Sequence, residues 1–330
     1  MENKAMKLVL SGAPHFVTGY DIQKTMGMVI IALLPALAGG VYFFGPRALL
    51  VTAVSVVSAV AAEFLFRKAL RRETHITDLS AVVTGMLLAL ILPVSSPLWM
   101  AAVGSAFAIV VAKELFGGLG GNFANPALVG RAVLLMSWPA FMTRWSPSLH
   151  AAAVDATTTA TPLGILKLGG TITDVIKSVG ASGKPALYLQ MFLGNHAGCI
   201  GETSGLLLLL GAVFLVVTRV IDLRTPVAMI AAVFAASWLF GRDPVFSVLA
   251  GGILLGAFFM ATDYVTTPVT PIGKWAFGIG AGLMTVLIRQ LGNFPEGVTY
   301  GILLMNVVVP YLDKIIPRKF GFVKPRKVNA

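Results

Sequence analysis

Long apolar runs with almost no charge recur from one end of this chain to the other, and they leave few folds open to it. A run of about 17 to 20 apolar residues, coiled as a helix, crosses the roughly 30 Å hydrocarbon core of a bilayer. Read between charged residues and Pro or Gly breaks, the runs predict ten spans. These are 26–44, 48–66, 79–93, 97–115, 123–142, 204–221, 226–241, 245–261, 275–291 and 297–313. The predicted fold class is an all-α polytopic integral membrane protein.

The charge content supports a membrane environment. Only 12% of the residues are charged and 57% are hydrophobic, whereas soluble chains carry about 25% charged residues. An ionised side chain at mid-membrane costs several kcal/mol, so a bilayer selects against it. The net charge of +11 is therefore assigned to membrane topology. No basic patch with interleaved aromatic residues is found, so the lipid bilayer is the expected partner and nucleic acid is not.

The placement of Lys and Arg predicts the orientation. A polar stretch, 143–203, separates an N-terminal half, 1–142, from a C-terminal half, 204–330, that ends in a basic tail. With the N-terminus inside, the cytoplasmic segments hold 17 of the 25 Lys and Arg residues and the outer segments hold seven. Cytoplasmic loops carry the excess of these residues. Both termini are thus expected in the cytoplasm, and 143–203 outside it.

The two halves share weak sequence matches at an offset of 171 residues. Gly85 precedes the turn Val94-Ser95-Ser96-Pro97 as Gly256 precedes Val265-Thr266-Thr267-Pro268. The same offset maps 121–123 onto 292–294 and Gly130 onto Gly301. Five spans per copy is an odd number, so the copies would be inverted five-helix repeats, an architecture of transporters. Each turn is either a helix break within the membrane or a tight surface loop, and the sequence favours neither.

Several ionisable residues fall in or near the predicted spans. Asp78 and Asp263 lie at span ends, whereas Glu63, Glu114 and Arg131 lie nearer span interiors. Intramembrane charge indicates a functional site by default, although a residue at a helix end can also extend its charge to the interface. The second explanation is preferred for Glu63, which lies beside Arg67. Asp263 is favoured as functional because it lies at a candidate helix break.

No metal site is expected. The single cysteine, Cys199, belongs to no CxxC motif, and one cysteine cannot hold an iron–sulfur cluster. The histidines, at 15, 75, 150 and 196, form no ligand spacing. Cys199 is expected to be a packed or loop residue.

A threonine-rich stretch, 155–163, stands out in the polar segment. Taken by itself, Thr161 followed by Pro162 is a common helix start, with threonine as the N-cap. The stretch also resembles the flavinylation motif D-x-x-[ST]-G-A-T, in which a flavin transferase joins FMN through its phosphate to the last threonine. Asp155, Thr158, Ala160 and Thr161 match it in register, and Thr159 stands where glycine is usual.

Four further stretches extend the resemblance over nearly the whole chain. In order they are GGLGGNFANPA (117–127), GCIGETS (198–204), MATDYVT (260–266) and GILLMN (301–306). With the threonine-rich motif, they resemble the D subunit of the Rnf complex and, more distantly, the B subunit of the Na⁺-translocating NADH:quinone reductase.

The resemblance implies a membrane flavoprotein subunit of a prokaryotic inner membrane complex that moves electrons between ferredoxin and NAD⁺ and translocates Na⁺ or H⁺. Thr161 would carry FMN and is an attachment point, so no catalytic residue is expected in this chain. A non-covalent riboflavin, as in the quinone-reductase relative, is a second cofactor without an assignable position. Candidate residues of a flavin site or ion path are Asp78, Asn122, Asn125, Thr262 and Asp263.

The resemblance also implies partners, because this chain has no nucleotide-binding fold and no cluster motif. They are a second covalent-FMN subunit, an iron–sulfur subunit that oxidises ferredoxin, an NADH-binding subunit and the flavin transferase. The inverted repeat alone would also fit a stand-alone channel or transporter for a small solute. A purely structural scaffold subunit is a third hypothesis, and it predicts that Thr161 substitution has no effect on electron transfer.

Overall fold

The computed structural model describes residues 21–72, 76–149, 161–292 and 296–314. Within these ranges the chain is helical and forms no β-strand, which confirms the predicted all-α class. The α-helices are α1 (Ile22–Phe44), α2 (Pro46–Ala69), α3 (Ser80–Leu90), α4 (Leu98–Phe107), α5 (Pro126–Ser137), α6 (Pro139–Met142), α7 (Pro162–Lys167), α8 (Ile172–Val179), α9 (Lys184–Leu193), α10 (Gly205–Val217), α11 (Arg224–Leu239), α12 (Pro244–Leu249), α13 (Ile253–Leu255), α14 (Pro271–Leu291) and α15 (Val298–Leu312).

Four continuous helices are long and apolar enough to cross a membrane: α1, α2, α14 and the helix Leu98–Phe116, which begins with α4. Five shorter apolar helices, namely α3, α5, α10, α11 and α15, fall within or closely overlap five other predicted spans. The remaining predicted span, 245–261, is interrupted, because α12 ends at Leu249 and α13 begins at Ile253. The chain is a multi-pass membrane protein.

Two helices widen into π-helical turns. The helix that begins with α4 continues as a π turn over Ala108–Lys113 and a 3₁₀ turn over Glu114–Phe116. Likewise α13 continues as a π turn over Gly256–Met260. A π turn bonds residue i to i+5, is rare, and is frequent at functional sites. The first turn ends at Lys113, which bonds to Glu63, and the second ends at Met260, whose carbonyl accepts from Asn125.

Polar residues start many of the helices. Asn125, Thr161, Asp243 and Thr270 each cap a helix whose first residue is proline. The capping side chain accepts a hydrogen bond from a backbone N–H of the first turn, which would otherwise lack a partner. Proline at the first position has no N–H to satisfy and is already constrained to a helical φ. The local sequence is therefore sufficient to start these four helices.

Small residues bring helix backbones close together in both halves of the chain. A methyl group on Gly85 of α3 would lie 2.8 Å from Val56 Cα of α2, and one on Gly282 of α14 would lie 2.6 Å from the Met229 carbonyl of α11. The Ser55 hydroxyl donates to the Gly85 carbonyl at 2.7 Å. Small residues and interhelical hydrogen bonds are the usual means of helix association where lipid removes the hydrophobic driving force.

Three helices of the polar segment pack onto the C-terminal half. Helices α7, α8 and α9 form a small apolar core with α12, centred on Val175, Leu187, Met191 and Phe246. The Tyr188 hydroxyl donates to the Asp243 carboxylate, and burial, together with Asp243, raises the pKa of Tyr188 to about 12. Helices α7 to α9 are thus attached to α12 and do not form a loose loop.

Candidate functional site

Thr161 is the N-cap of α7. Its hydroxyl accepts a hydrogen bond from the Gly164 N–H at 3.0 Å, and the residue is 8% exposed. The interpretation of Thr161 and Pro162 as a helix start is confirmed. Asp155, Thr158 and Ala160, which belong to the same motif, lie outside the described residues. The structure therefore describes this motif only from its last threonine onward.

Helix α7 is fastened to α12 and α14. The Lys167 ammonium donates to the carbonyl of Arg289 at 2.8 Å, close to the C-terminal end of α14. The Leu163 side chain lies against Gly251, where any Cβ would collide with Leu163 and with the Arg289 guanidinium. Arg289 in turn donates to the carbonyls of Ser247, Ala250 and Glu296. The helix that starts at Thr161 is consequently held at a fixed place on the helical bundle.

A buried ion cluster lies next to this attachment. The Arg131 guanidinium of α5 donates to Glu202 at 2.9 Å, to the Glu296 carboxylate, and to the Cys199 sulfur at 3.5 Å. We call these four residues the Arg131 cluster. Cys199 is buried, as predicted, and burial and the neighbouring Glu202 raise the pKa of its thiol. The sulfur and the two carboxylates are metal-ligand atoms that lie close together, but the Arg131 guanidinium already donates to all three.

A second buried ion cluster joins α2 to the helix that begins with α4. The Lys113 ammonium donates to both Glu63 oxygens at 3.0 Å, and Arg67 donates to both Glu114 oxygens at 3.0 Å. We call these residues the Lys113 cluster. Glu63 is 0% exposed and Lys113 is 1% exposed. The expectation of an interfacial Glu63 is therefore wrong. Its partner is 50 residues away in sequence, and only the packing of the two helices reveals it.

Asp78 extends the Lys113 cluster through a serine. The Ser80 hydroxyl accepts from Lys113 and donates to the Asp78 carboxylate, both at 2.6 Å. A cavity of about 530 Å³ lies beside this chain of contacts and is lined by Asp78, Arg67 and Glu114 among others. Lys113 and Glu114 are neighbours in the helix, yet each forms its ion pair with a residue of α2. Asp78 is thus linked to buried charge and also lines a cavity.

Asn125, at the start of α5, and Asn306, within α15, bond to each other and to the end of the π turn after α13 and the turn that follows it. The Asn125 N–H donates to the Asn306 side-chain oxygen at 3.2 Å, and the Asn125 amide donates to the Met260 carbonyl at 3.3 Å. The Asn306 amide donates to the Thr266 carbonyl at 2.9 Å. We call these contacts, which join the start of α5 to the end of the π turn after α13, the amide junction. In each turn of the V-[ST]-[ST]-P pattern two of the four residues are buried, among them Ser96 and Thr266.

Asp263 lies in the turn that follows the π turn. Its carboxylate accepts from the Thr266 hydroxyl at 2.9 Å, while the Thr262 hydroxyl donates to the Phe258 carbonyl at 2.7 Å. A cavity of about 180 Å³ contacts Asp263 and Thr262. Asn122 is not part of the amide junction, and its buried side-chain oxygen has no hydrogen-bond partner in the part of the chain that the structure describes.

Comparison with known proteins identifies the family. The model of the NQR2, RnfD, RnfE family matches residues 9–321. The chain belongs to this family.

Two relatives in the NQR2, RnfD, RnfE family are similar over nearly their full length. The D subunit of the proton-translocating ferredoxin:NAD(+) oxidoreductase complex of Clostridium ljungdahlii is 48% identical, over 94% of this chain and 96% of its own. The D subunit of the Na(+)-translocating ferredoxin:NAD(+) oxidoreductase complex of Acetobacterium woodii is 43% identical, over 98% of each chain. These relatives are subunits of ion-translocating oxidoreductase complexes.

Three of the four stretches that carried the family resemblance meet in space. Asn125, Met260, Thr266 and Asn306 come from three of them and form the amide junction. The fourth stretch, 198–204, supplies two residues to the Arg131 cluster. Sequence reasoning did not single out three charged residues that the structure places in or beside these sites. A charge within or between apolar spans was the available signal for each of them, namely Lys113, Arg289 and Glu296.

Proposed function

We propose that this chain is the membrane flavoprotein D subunit of an Rnf-type ferredoxin:NAD⁺ oxidoreductase that translocates Na⁺ or H⁺. The observation that carries the proposal is the similarity, over nearly the full length, to the D subunits of two such complexes. One of these complexes is proton-translocating and the other is Na⁺-translocating, so the similarity does not choose the coupling ion. The chain acts as one part of a larger complex.

FMN is proposed to be held covalently, through a phosphoester to the Thr161 hydroxyl. The hydroxyl required for the ester is present at the start of α7, and the Lys167 ammonium fixes the end of that helix to the Arg289 carbonyl. When bound, FMN supplies one-electron chemistry that no side chain offers. This chain's residues hold the group, position it and set its electrostatic environment. A non-covalent riboflavin is proposed as a second cofactor without an assigned position.

The proposed membrane arrangement is ten spans in two inverted five-helix repeats. The order of the helices supports this arrangement. Shifted by about 171 residues, four helices of the first half correspond in order to four of the second, namely α2 to α11, α3 to α13, α4 to α14 and α5 to α15. Both α3 and α13 precede a V-[ST]-[ST]-P turn. Both termini are proposed to be cytoplasmic, in a prokaryotic inner membrane, with 143–203 outside, because Lys and Arg are concentrated in the segments that would face inward.

Ion movement is proposed to involve residues at the broken helices and at the Lys113 cluster. Asp263 and Thr262 line one cavity, and Asp78 lines another beside buried charge. Asn122 and Asn125 lie in the stretch that leads to the amide junction. Carbonyls and side chains exposed where helices are interrupted are the usual ligands of coupling ions in transporters. The acidic residues in these positions provide the negative charge that a cation path needs.

The proposed partners follow from the electrons that this subunit must receive and pass on. Electrons have to reach its flavin and leave it, so we propose an iron–sulfur subunit that oxidises ferredoxin, an NADH-binding subunit and a second covalent-FMN subunit. A flavin transferase is needed for maturation. The bilayer surrounds the apolar helices, of which many side chains are exposed, such as Trp238 and Leu239.

In-gel flavin fluorescence of the denatured chain tests the proposal. The chain is expressed with its flavin transferase as wild type, as Thr161→Val and as Thr157→Val. Thr157 is a matched control, because it is a neighbouring threonine at a variable position of the motif. We expect a fluorescent band in the wild type and in Thr157→Val and none in Thr161→Val. A dark wild-type band, with the transferase active on another substrate, would contradict the covalent flavin.

A further inference from the structure

A cavity of about 420 Å³ opens between α7, α8 and the ends of α11, α12 and α14. Ligand sites for small organic molecules typically range from about 300 to 1,000 Å³. This cavity is separate from the two cavities that contact Asp78 and Asp263. We name it the α7 cavity.

The α7 cavity is lined from Leu163 onward, two residues after Thr161, which is not itself a lining residue. Leu163, Leu166 and Lys167 line it, and their spacing places them on one face of α7. Thr161 is two residues before Leu163, and the whole of α7 is about 9 Å long at 1.5 Å per residue. Because Lys167 and Leu163 anchor α7 to Arg289 and Gly251, the cavity keeps this position relative to Thr161. A group tethered to Thr161 by a flexible chain has the cavity within reach.

The walls of the α7 cavity combine apolar and polar surfaces. Leu166, Phe246 and Val286 are apolar, whereas Arg242 and Ser247 bring cationic and polar groups. An isoalloxazine ring has the same asymmetry. Its dimethylbenzene end is apolar, and its pyrimidine end carries two carbonyls and an N–H. Cofactor sites pair apolar walls with polar groups that fix the orientation of the ligand, and the α7 cavity offers both kinds of surface.

The charge in the α7 cavity is positive. Three cations line it, Lys167, Arg242 and Arg289, against one carboxylate, Asp243. The Asp243 carboxylate already has hydrogen-bond donors, because it accepts from the Tyr188 hydroxyl and from a backbone N–H at the start of α12. The Arg242 side chain is exposed and has no ion-pair partner among the residues that the structure describes. A reduced flavin carries negative charge at its pyrimidine end, which a nearby cation stabilises.

We propose that the α7 cavity holds the isoalloxazine ring of the Thr161-linked FMN, and that Arg242 is the positioning cation for its pyrimidine end. The inference rests on the proposed covalent flavin. It adds the residues that surround the ring and the group that favours the reduced form.

The first test compares Arg242→Met with Arg144→Met in the complete complex. Arg144 is a matched control, since it is also exposed and does not line the cavity. We expect both variants to keep the fluorescent gel band. In Arg242→Met, the ratio of reduced to oxidised flavin at a fixed applied potential should fall about two- to fivefold, the scale of a partly exposed charge interaction. Arg144→Met should match the wild type.

The second test uses two leucines of the same helix region. Leu166→Phe adds volume inside the cavity, whereas Leu168→Phe adds it at an 85% exposed position outside the cavity. Iodide quenching of flavin fluorescence in the folded complex should increase about twofold in Leu166→Phe, because the ring is displaced towards solvent, and stay unchanged in Leu168→Phe. The ring site would be overturned if the covalent band is present but neither variant responds. That is, the ratio of reduced to oxidised flavin is unchanged in Arg242→Met, and iodide quenching is unchanged in Leu166→Phe. A wild-type chain with no band would instead remove the covalent flavin itself.

Discussion

The Arg131 cluster and the Lys113 cluster are both buried ion clusters, yet they connect very different amounts of chain. The Lys113 cluster joins two neighbouring helices of the N-terminal half. The Arg131 cluster joins α5, segment 198–204 and the turn before α15, so it ties both halves to the polar segment.

The two clusters also differ in how many cations serve their carboxylates. The Lys113 cluster contains two cations and two carboxylates that can exchange partners, since Arg67 lies 3.5 Å from Glu63. Within the described ranges, Arg131 is the single side-chain cation that forms ion pairs with the two carboxylates of its cluster. Both clusters are buried, so the difference between them is that the Lys113 cluster has a second cation near Glu63, whereas the carboxylates of the Arg131 cluster share one.

The largest effect is expected from Arg131→Met. It leaves Glu202 and Glu296 buried without their shared cation, and breaking a buried pair in this way costs about 3–5 kcal/mol. The free energy of unfolding in detergent, measured by denaturant titration, should fall by that amount. Arg131→Lys keeps the charge but loses the planar fork, and it should recover only part of the loss. A cost below that of Lys113→Met would refute the contrast between the clusters.

A smaller effect is expected from Lys113→Met. Arg67 remains near Glu63 and compensates part of the lost charge, so we expect a cost of about 1–3 kcal/mol. The double variant Glu63→Gln with Lys113→Met removes both charges. In a double-mutant cycle it should be more stable than the sum of the single changes. Strict additivity would mean that Glu63 and Lys113 do not interact.

Cys199 reports on the Arg131 cluster alone. Because it is fully buried and burial raises its thiol pKa, the folded wild type should react very slowly with a maleimide at neutral pH. Arg131→Met should raise the labelling rate, followed by mass spectrometry, about tenfold, equivalent to about 1.4 kcal/mol of easier local opening. Lys113→Met should leave the rate at the wild-type value. Equal acceleration in both variants would indicate global loosening instead.

The smallest effect is expected from Asp222→Asn. Its ion pairs with Arg224 and Lys274 are partly exposed, and such pairs contribute about 0–1 kcal/mol. The same unfolding titration should therefore detect little change at moderate salt. This variant shows how small the change in the free energy of unfolding is when an exposed ion pair is lost, for comparison with the two buried clusters. A loss as large as that of Lys113→Met would show that burial is a poor guide to charge energetics in this chain.

The sequence predicted what depends on local composition and periodicity. Apolar runs located the helices, and Thr161 with Pro162 predicted a helix start that the structure confirms. The family resemblance located the stretches that form the amide junction. Contacts across the bundle could not be inferred in the same way, because Glu63 and Lys113 are separated by 50 residues and Asn125 and Asn306 by 181. The interruption between α12 and α13 was also missed, since apolar residues on both sides hide it from a hydropathy pattern.

The π turn at Ala108–Lys113 has a consequence for how this helix tolerates changes of length. Its wider turn takes up one more residue than an α-helical turn does. Deleting one residue there would restore a regular α-helix and leave Lys113 and Glu114 on the faces that they now present. The same deletion within α4 has no extra residue to remove, so it would rotate the following residues by about 100°. Natural length variation in this helix is therefore expected within 108–113 and not within 98–107.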